Sequence, residues 1–359
     1  MTQRLKSIGY SQLHSDNAVF VRKRSIGTAI TAIHVDNMVT IADSTKELGR
    51  ARKRLFEVFE MKEEDPNWMM GFQLIEDTKE QTISISHERY IETVLNRFNM
   101  SEAKPHPLPM DPGCVLSKED RPQTEAEKED MENVPYQELV GALTWISLIS
   151  RPDIAFASRY LGQYSANPGR KHWKAALHVL RYLSGTRSMQ LVLGGKSKRS
   201  MELIGYTDSD WARDVDDRRS ISGTVFQLGG RTIAHGSKKQ ITVATSSTEG
   251  EYMAAAYAAK LGLWLIQILA ELGHPFDNPI CINIDNTASL NLTKDARYHA
   301  RTKHIDIQHH FIRERVIDGT FVVTHLSTSE MVADILTKPL IKESFYYLLP
   351  KLGLYNPSE

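Results

Sequence analysis

Apolar and polar positions divide the chain into short alternating runs and longer stretches of helical spacing. Short apolar runs predict strands over residues 18–21, 29–35 and 38–41, with Asp36 and Asn37 at a polar hairpin tip. Ser44, Glu47 and the spacing of Leu48, Ala51, Leu55 and Phe59 predict a capped helix over residues 44–59. Strands over 71–76 and 82–86 and a helix over 87–98 follow. Residues 101–135 hold six prolines, from Pro105 to Pro135, among many acids; little periodicity survives there, which predicts a linker that wraps or hangs loose.

Helical patterning returns at 136–150, and further helices open at Pro152 and Pro168, each with proline near the first helical position. In the last of these, Trp173, Leu177, Leu180 and Leu183 form one stripe and Gly185 ends the helix. Beyond it the pattern predicts strands over 190–193, 202–208, 222–228 and 232–237, a long helix over 248–272, a strand over 280–285 and helices over 287–293 and 303–318. A strand over 321–325 and helices over 329–337 and 342–352 close the chain. Consecutive strands followed by alternating helices and strands predict an α/β (α+β) fold, a mixed sheet with helices on it.

Composition changes this picture little: 41% hydrophobic and 25% charged residues describe a soluble globular chain long enough for two or three domains. Cys114 and Cys281 lie too far apart for a disulfide framework or a zinc site, which points to a reducing compartment. The amino-terminal stretch is polar, with Arg4 and Lys6, and does not read as a signal peptide. The most apolar run, 253–272, is broken by Lys260 and Gln267 and reads as a buried helix.

Charge matters through its distribution, since 44 basic residues balance 44 acidic ones. Residues 154–201 contain no Asp or Glu but carry Arg159, Arg170, Lys171, Lys174, Arg181, Arg187, Lys196, Lys198 and Arg199, whereas 111–138 is mostly acidic. A basic helix face opposite an apolar stripe is what a nucleic-acid duplex would lie on, though a solvated face gives the same count.

The candidate chemistry is a set of four carboxylates. Asp208 ends a strand in Tyr206-Thr207-Asp208-Ser209-Asp210-Trp211-Ala212; Glu251 starts the long helix; Asp285 ends a strand; Asp334 lies in the helix predicted after the last strand. Each also has a structural use. Thr248 and Glu251 fit a capping box, Asp285-Asn286 fits a helix cap, and Asp334 stands four residues before Lys338. All four nevertheless sit at ends of elements that can meet at one sheet edge, and four neighbouring carboxylates repel unless cations neutralise them. Hard oxygen ligands point to Mg2+ or Mn2+, and two such ions about 4 Å apart serve phosphodiester hydrolysis.

At these residues the chain resembles the ribonuclease H domain of copia-type LTR-retrotransposon Pol polyproteins. The resemblance rests on the Tyr206–Ala212 stretch, Arg219-Ser220-Ile221-Ser222-Gly223, Ser237-Lys238-Lys239-Gln240, Ser246-Ser247-Thr248-Glu249-Gly250-Glu251-Tyr252, Asp285-Asn286, His304-Ile305-Asp306 and Ala333-Asp334-Ile335-Leu336-Thr337-Lys338. Upstream, Phe59-Glu60-Met61-Lys62, Met70-Gly71, Tyr90-Ile91, Leu95-Asn96-Arg97-Phe98 and Met100 are similar to the end of the reverse transcriptase palm, and Arg151-Pro152-Asp153-Ile154 to the connecting region. The resemblance implies a truncated palm over 1–100, a Pro-rich acidic linker over 101–135, a helical thumb or connection over 136–187 and a ribonuclease H-like domain over 188–359. It implies cleavage of the RNA strand of an RNA–DNA hybrid, with Asp208, Glu251, Asp285 and Asp334 as catalytic and metal-binding acids and Asp210, Asp306 and His325 in support. His325 is a candidate for helping product release, although a strand-end histidine needs no such role. Arg170, Lys171, Lys174, Arg181, Lys238 and Lys239 are the expected nucleic-acid contacts, with no membrane and no small-molecule cofactor involved.

Two departures bear on activity. The family's polymerase hairpin carries two adjacent aspartates; here it reads Val35-Asp36-Asn37, leaving Asp36 as a vestige. The chain also begins just before that hairpin, so the resemblance predicts no DNA synthesis. Smaller departures are His235 in place of the usual Trp and Gly250 in place of Ala. Two readings remain: a live ribonuclease H-type endonuclease, or a catalytically inactive remnant that at most binds nucleic acid. The intact set of four acids favours the first. The expected location is cytoplasmic, in a virus-like particle of an intact element, or nuclear.

Overall fold

The computed structural model describes residues 1–25, 27–196, 201–294 and 307–357. Two compact units emerge, one of Met1–Trp68 with Leu261–Asn278 and one of Met69–Lys260 with Pro279–Glu359.

In the first unit a short helix, α1 (Thr2–Ser7), precedes four antiparallel strands in the order β1 (Ser11–Gln12), β2 (Val19–Arg24), β3 (Gly27–His34) and β4 (Asn37–Ala42). His34 pairs with Asn37, so Val35 and Asp36 alone make the turn. Val35 is exposed at φ +53°, a left-handed conformation unfavourable for a β-branched side chain. The helix α2 (Thr45–Val58) is capped by Ser44 and buries Ala51 and Leu55 with Leu5, Ile8, Tyr10, Phe20 and Ala29. Leu48, expected in its apolar stripe, is exposed; Glu47 turns inward instead and pairs with buried Arg22 at 2.5 Å. A buried guanidinium without such a partner would be strongly destabilising.

The second unit contains two sheets. β6 (Phe72–Asp77) and β7 (Thr82–Ser86) form a hairpin, β7 pairs with β8 (Gln190–Gly194), and β8 with β14 (Leu354–Tyr355). With β5 (Trp68–Met69) at its edge, this sheet has the order β14–β8–β7–β6–β5. A domain boundary at residue 100 therefore does not hold. Ile91, Val94 and Leu95 of α3 (Glu88–Arg97) share one core with Leu139 and Leu143 of α5 (Tyr136–Ile149), Leu180 and Leu183 of α7 (Arg170–Gly185), and Val332, Ile335 and Leu336 near the chain's end.

The segment 101–135 wraps: Leu108, Met110 and Leu116 are buried in that core, and the Tyr160 hydroxyl of α6 (Ala155–Gly162) donates to the Leu116 carbonyl at 2.9 Å. It also holds a helix that apolar periodicity missed, α4 (Glu125–Glu132), started by a Thr124–Glu127 capping box. Between α5 and α6 the fully buried Arg151 binds Asp153 at 2.7 Å and the Thr186 carbonyl at 2.7 Å, while Tyr182 donates to Asp153 at 2.5 Å. The Arg-Pro-Asp-Ile motif is thus a buried clamp within the helical core.

The other sheet has five strands in the order β11 (Arg231–Lys239), β10 (Ile221–Leu228), β9 (Leu203–Asp210), β12 (Ile280–Ile284) and β13 (Phe321–His325). The first three are antiparallel, and β12 runs parallel to both β9 and β13. Three antiparallel strands extended by two parallel ones, with α8 (Ser247–Leu272), α9 (Thr287–Lys294) and α10 (Ile307–Ile317) between them and α11 (Lys342–Leu348) after, is the ribonuclease H-like arrangement. α8 is long and apolar enough to cross a membrane by length and composition, but Ala254, Ala255, Ala258 and Ala259 are fully buried. The helix expected over 329–337 is instead two 3-10 turns, Thr328–Glu330 and Val332–Leu336. The second lies so close to β10 that a Cβ on Gly223 would meet the Ala333 carbonyl and the Thr337 methyl at 2.7 Å.

Candidate metal centre

Asp208 points from β9 beside Glu251 of α8 and Asp285, which follows β12. Their carboxylate oxygens lie within 4.8 Å of one another. Asp208 and Glu251 are buried and Asp285 half-buried. None of the structural uses open to these residues in sequence accounts for them. Glu251 caps nothing: it accepts from the Ser209 amide at 3.0 Å, and the cap of α8 is made by Ser246, which accepts from the Glu249 amide at 3.1 Å while Glu249 reaches back to the Thr245 amide at 2.7 Å. Asp285 caps nothing either, because Asn286 accepts from the Ser289 amide at 3.0 Å. Asp285 is free to accept from the Thr328 hydroxyl at 2.8 Å.

Asp334 is buried next to Asp208, and Lys338 joins the two, lying 3.1 Å from Asp334 and 3.4 Å from Asp208. The Thr337 hydroxyl also donates to Asp208. The electrostatics are those of crowded acids. Burial, with Asp208 and Asp285 nearby, raises the Glu251 pKa well above the carboxylate range, and burial and Asp208 do the same to Asp334 against the pull of Lys338. Burial would lower the Lys338 pKa, but Asp208 and Asp334 outweigh it and hold the amine protonated.

Oδ1 of Asp334 and Oε2 of Glu251 are buried without any hydrogen-bond partner. Orphaned anionic oxygens facing a carboxylate cluster fit a hard divalent cation, for which Asp208, Glu251 and Asp285 would be the shared ligands.

The supporting candidates fall differently. Asp210 is occupied by Arg213 at 3.2 Å, and burial raises its pKa. His325 donates to the Asp285 backbone carbonyl at 3.1 Å, which ties the ends of β12 and β13 together. Asp306 lies outside the described residues, as do Lys198 and Arg199. Asp36 is exposed at the β3–β4 turn. His235 is half-buried with Nε2 2.9 Å from the Ser147 carbonyl, a tie to the helical core in place of an indole. A Cβ at Gly250 would stand 3.0 Å from the Ser209 hydroxyl, beside the amide that holds Glu251.

The expected unopposed basic face of α7 is not what the fold presents. Arg170 is paired with Asp130 of α4, Lys171 with Asp120 at 3.0 Å, and Arg181 donates to the Lys104 carbonyl at 2.8 Å. The acidic linker folds over the bases whose surplus it balances. Lys239 is likewise engaged by Asp214 at 2.5 Å and Asp217 at 2.9 Å. Lys174 and Lys238 are exposed; Lys174 makes no ion pair among the described residues, and the Lys238 amine lies 5.1 Å over the Tyr257 ring.

Comparison with known proteins agrees with this architecture. The family model for reverse transcriptase (RNA-dependent DNA polymerase) matches residues 1–112. The retrovirus-related Pol polyprotein from transposon TNT 1-94 of Nicotiana tabacum is 37% identical over 98% of this chain, and that from transposon RE2 of Arabidopsis thaliana is 34% identical over 98%. The chain belongs to the copia-type retrotransposon Pol family. It is a reverse transcriptase/ribonuclease H segment of such a polyprotein and spans 26% and 23% of the length of those two relatives. Among solved structures, the ribonuclease H1 of Halobacterium salinarum aligns at 19% identity and a TM-score of 0.27, covering 38% of this chain and 94% of that one; the strand order, not this likeness, carries the fold.

Within this Pol segment, sequence reasoning missed the residues that serve the acids. Lys338 appears in sequence only as a neighbour of Asp334, while its second partner, Asp208, is 130 positions away. Thr337 stands in the Ala333–Lys338 motif but with no role assigned to it, and Thr328 carries no local signal. Only their juxtaposition with strand ends reveals them.

Proposed function

We propose that the carboxyl-terminal part of this Pol segment is a ribonuclease H-type endonuclease that hydrolyses the RNA strand of RNA–DNA hybrids with two Mg2+ or Mn2+ ions. The reading rests on one observation: Asp208, Glu251 and Asp285 converge within 4.8 Å with Asp334 alongside, and no protein cation other than Lys338 among the described residues balances them. Bound divalent ions there supply Lewis acidity at the scissile phosphate and lower the pKa of the attacking water. The chain's own groups set the stage. Asp208, Glu251 and Asp285 would hold the ions; the Ser209 amide, the Thr337 hydroxyl and the Thr328 hydroxyl fix the three carboxylates; Lys338 bridges Asp208 and Asp334. Outer hydrogen bonds of this kind orient ligands. Lys174 and Lys238 are the exposed bases left to meet phosphates.

The β3–β4 hairpin supports a second part of the reading, that this chain does not synthesise DNA. Its tip offers one exposed carboxylate, Asp36, with Asn37 beside it, whereas a polymerase centre needs converging acids. The test is incubation of the purified chain with an RNA–DNA hybrid labelled on either strand, with Mg2+ or EDTA, beside primer extension on the same substrate. Mg2+-dependent cutting confined to RNA, with no extension, is the expected result; cutting that persists in EDTA or an extended primer contradicts it.

A further inference from the structure

A second set of metal-type donors lies apart from the carboxylate centre. His106 and Asp111 of the proline-rich linker meet His178 of α7, with one donor atom from each within 4.8 Å of the others. The His106 and His178 ring centroids are 4.1 Å apart, and His106 Nε2 is 3.7 Å from Asp111 Oδ1. Two ligands at tetrahedral positions around a zinc ion stand about 3.4 Å apart, so the gap is close to what one ion would span.

Each ring is anchored through one nitrogen. His106 Nδ1 and His178 Nε2 each lie 3.1 Å from the same Leu108 carbonyl, and His106 Nδ1 also lies 3.3 Å from the Leu108 amide; either contact leaves His106 Nε2 towards Asp111. A neutral imidazole that donates one N–H to a carbonyl presents the lone pair of its other nitrogen, which is how ligating histidines are held in metal sites. The backbone beneath them is anchored. The His106 amide donates to the Arg181 carbonyl at 3.1 Å, Arg181 donates to the Lys104 carbonyl at 2.8 Å, and Tyr346 donates to the Pro107 carbonyl at 3.1 Å. The Asp111 carboxylate is more than half exposed and faces His106.

We propose that His106, Asp111 and His178 form a separate site for Zn2+ or another borderline transition ion, clipping the linker onto α7. Two imidazoles and one carboxylate select such ions over Mg2+, and three protein ligands leave a position open to water. The site shares no residue with the carboxylate centre, so it stands or falls independently of the nuclease reading.

The test is calorimetric titration of the intact chain with Zn2+ in excess Mg2+, in an Asp208→Asn background that weakens the carboxylate centre, with Co2+ absorption as a second probe. The expected result is one saturable Zn2+ site and visible Co2+ bands of a four- or five-coordinate ion. Both are weakened about tenfold or more in His178→Ala and in Asp111→Asn. Asp111 is exposed, so its variant keeps the fold, as circular dichroism would verify. No saturable Zn2+ binding by the parent chain, or equal binding by both variants, overturns the proposal.

Discussion

Acids occur at two places where this Pol segment could hold catalytic cations, and the structure treats them in opposite ways. At the end of β9, Asp208 is buried among Glu251, Asp285 and Asp334, each side chain held by an amide, a hydroxyl or Lys338. At the tip of the β3–β4 hairpin, Asp36 is exposed in a two-residue turn with Asn37 as its neighbour. The contrast is between a buried carboxylate crowded by other acids and one that water surrounds. Only the first stores repulsion that a divalent ion relieves.

The sharpest way to break that comparison is Glu251→Gln. Hybrid cleavage should fall by more than about a hundredfold, since even outer-shell partners of metal ligands are worth ten to a hundredfold. The same variant should melt at a higher temperature than the parent in EDTA, because folding the parent must either bury a repelled carboxylate or take up a proton, and Gln needs neither. Asp36→Asn should change neither quantity. A melting temperature lowered by Glu251→Gln would remove the claim of stored repulsion.

Lys338→Met comes next. It leaves Asp208 and Asp334 without the one ammonium partner they have among the described residues and should destabilise the metal-free chain by about 2 kcal/mol, short of the full cost of breaking a wholly buried pair because Lys338 is partly exposed. Mn2+ should bind several-fold more tightly to this variant, as measured by calorimetry. Unchanged stability and unchanged affinity would mean that Lys338 is a bystander.

The pH dependence is smaller but has a definite sign. Glu251 and Asp334 have folded-state pKa values raised above their ordinary values, so the folded chain binds more protons than the unfolded one from the carboxylate range upward. Metal-free stability should therefore decline as pH rises through that window. Cation binding needs the deprotonated acids, so the rise in melting temperature on adding Mg2+ should grow from pH 5.5 to about pH 8. A constant Mg2+ increment would contradict the crowded-acid account. The smallest effect is expected for Asn37→Asp, which restores a second acid at the hairpin tip: it should shift stability by less than about 0.5 kcal/mol and produce no primer extension.

Much of this was legible in sequence. The strands of the five-stranded mixed sheet could be placed from their patterning, and Asp208, Glu251 and Asp285 from their places near element ends, whereas Asp334 lies inside a 3-10 turn where a helix was expected. The cap of α8 could not, because Ser246-x-x-Glu249 and Thr248-x-x-Glu251 are the same motif two residues out of step; the Ser209 amide, 42 positions away, decides between them. The helix α4 was announced by Thr124-x-x-Glu127 but has no apolar stripe, so periodicity passed over it. The basic face of α7 was visible, while the acids that cover it come from a linker 40 to 51 positions earlier. Residues 69–100 looked like the tail of one domain because the pairing of β7 with β8, and of β8 with β14, is not written in any of these segments alone.

The central claim is that the carboxylate cluster is a working nuclease centre. The most direct measurement is the Mg2+-dependent cleavage rate of a labelled RNA–DNA hybrid by the folded chain and by Asp208→Asn, with the fold of both verified by circular dichroism. The account predicts RNA-strand cutting by the parent and none above background by the variant. Equal cutting by both, or a folded parent that binds hybrid and leaves it whole, would contradict it.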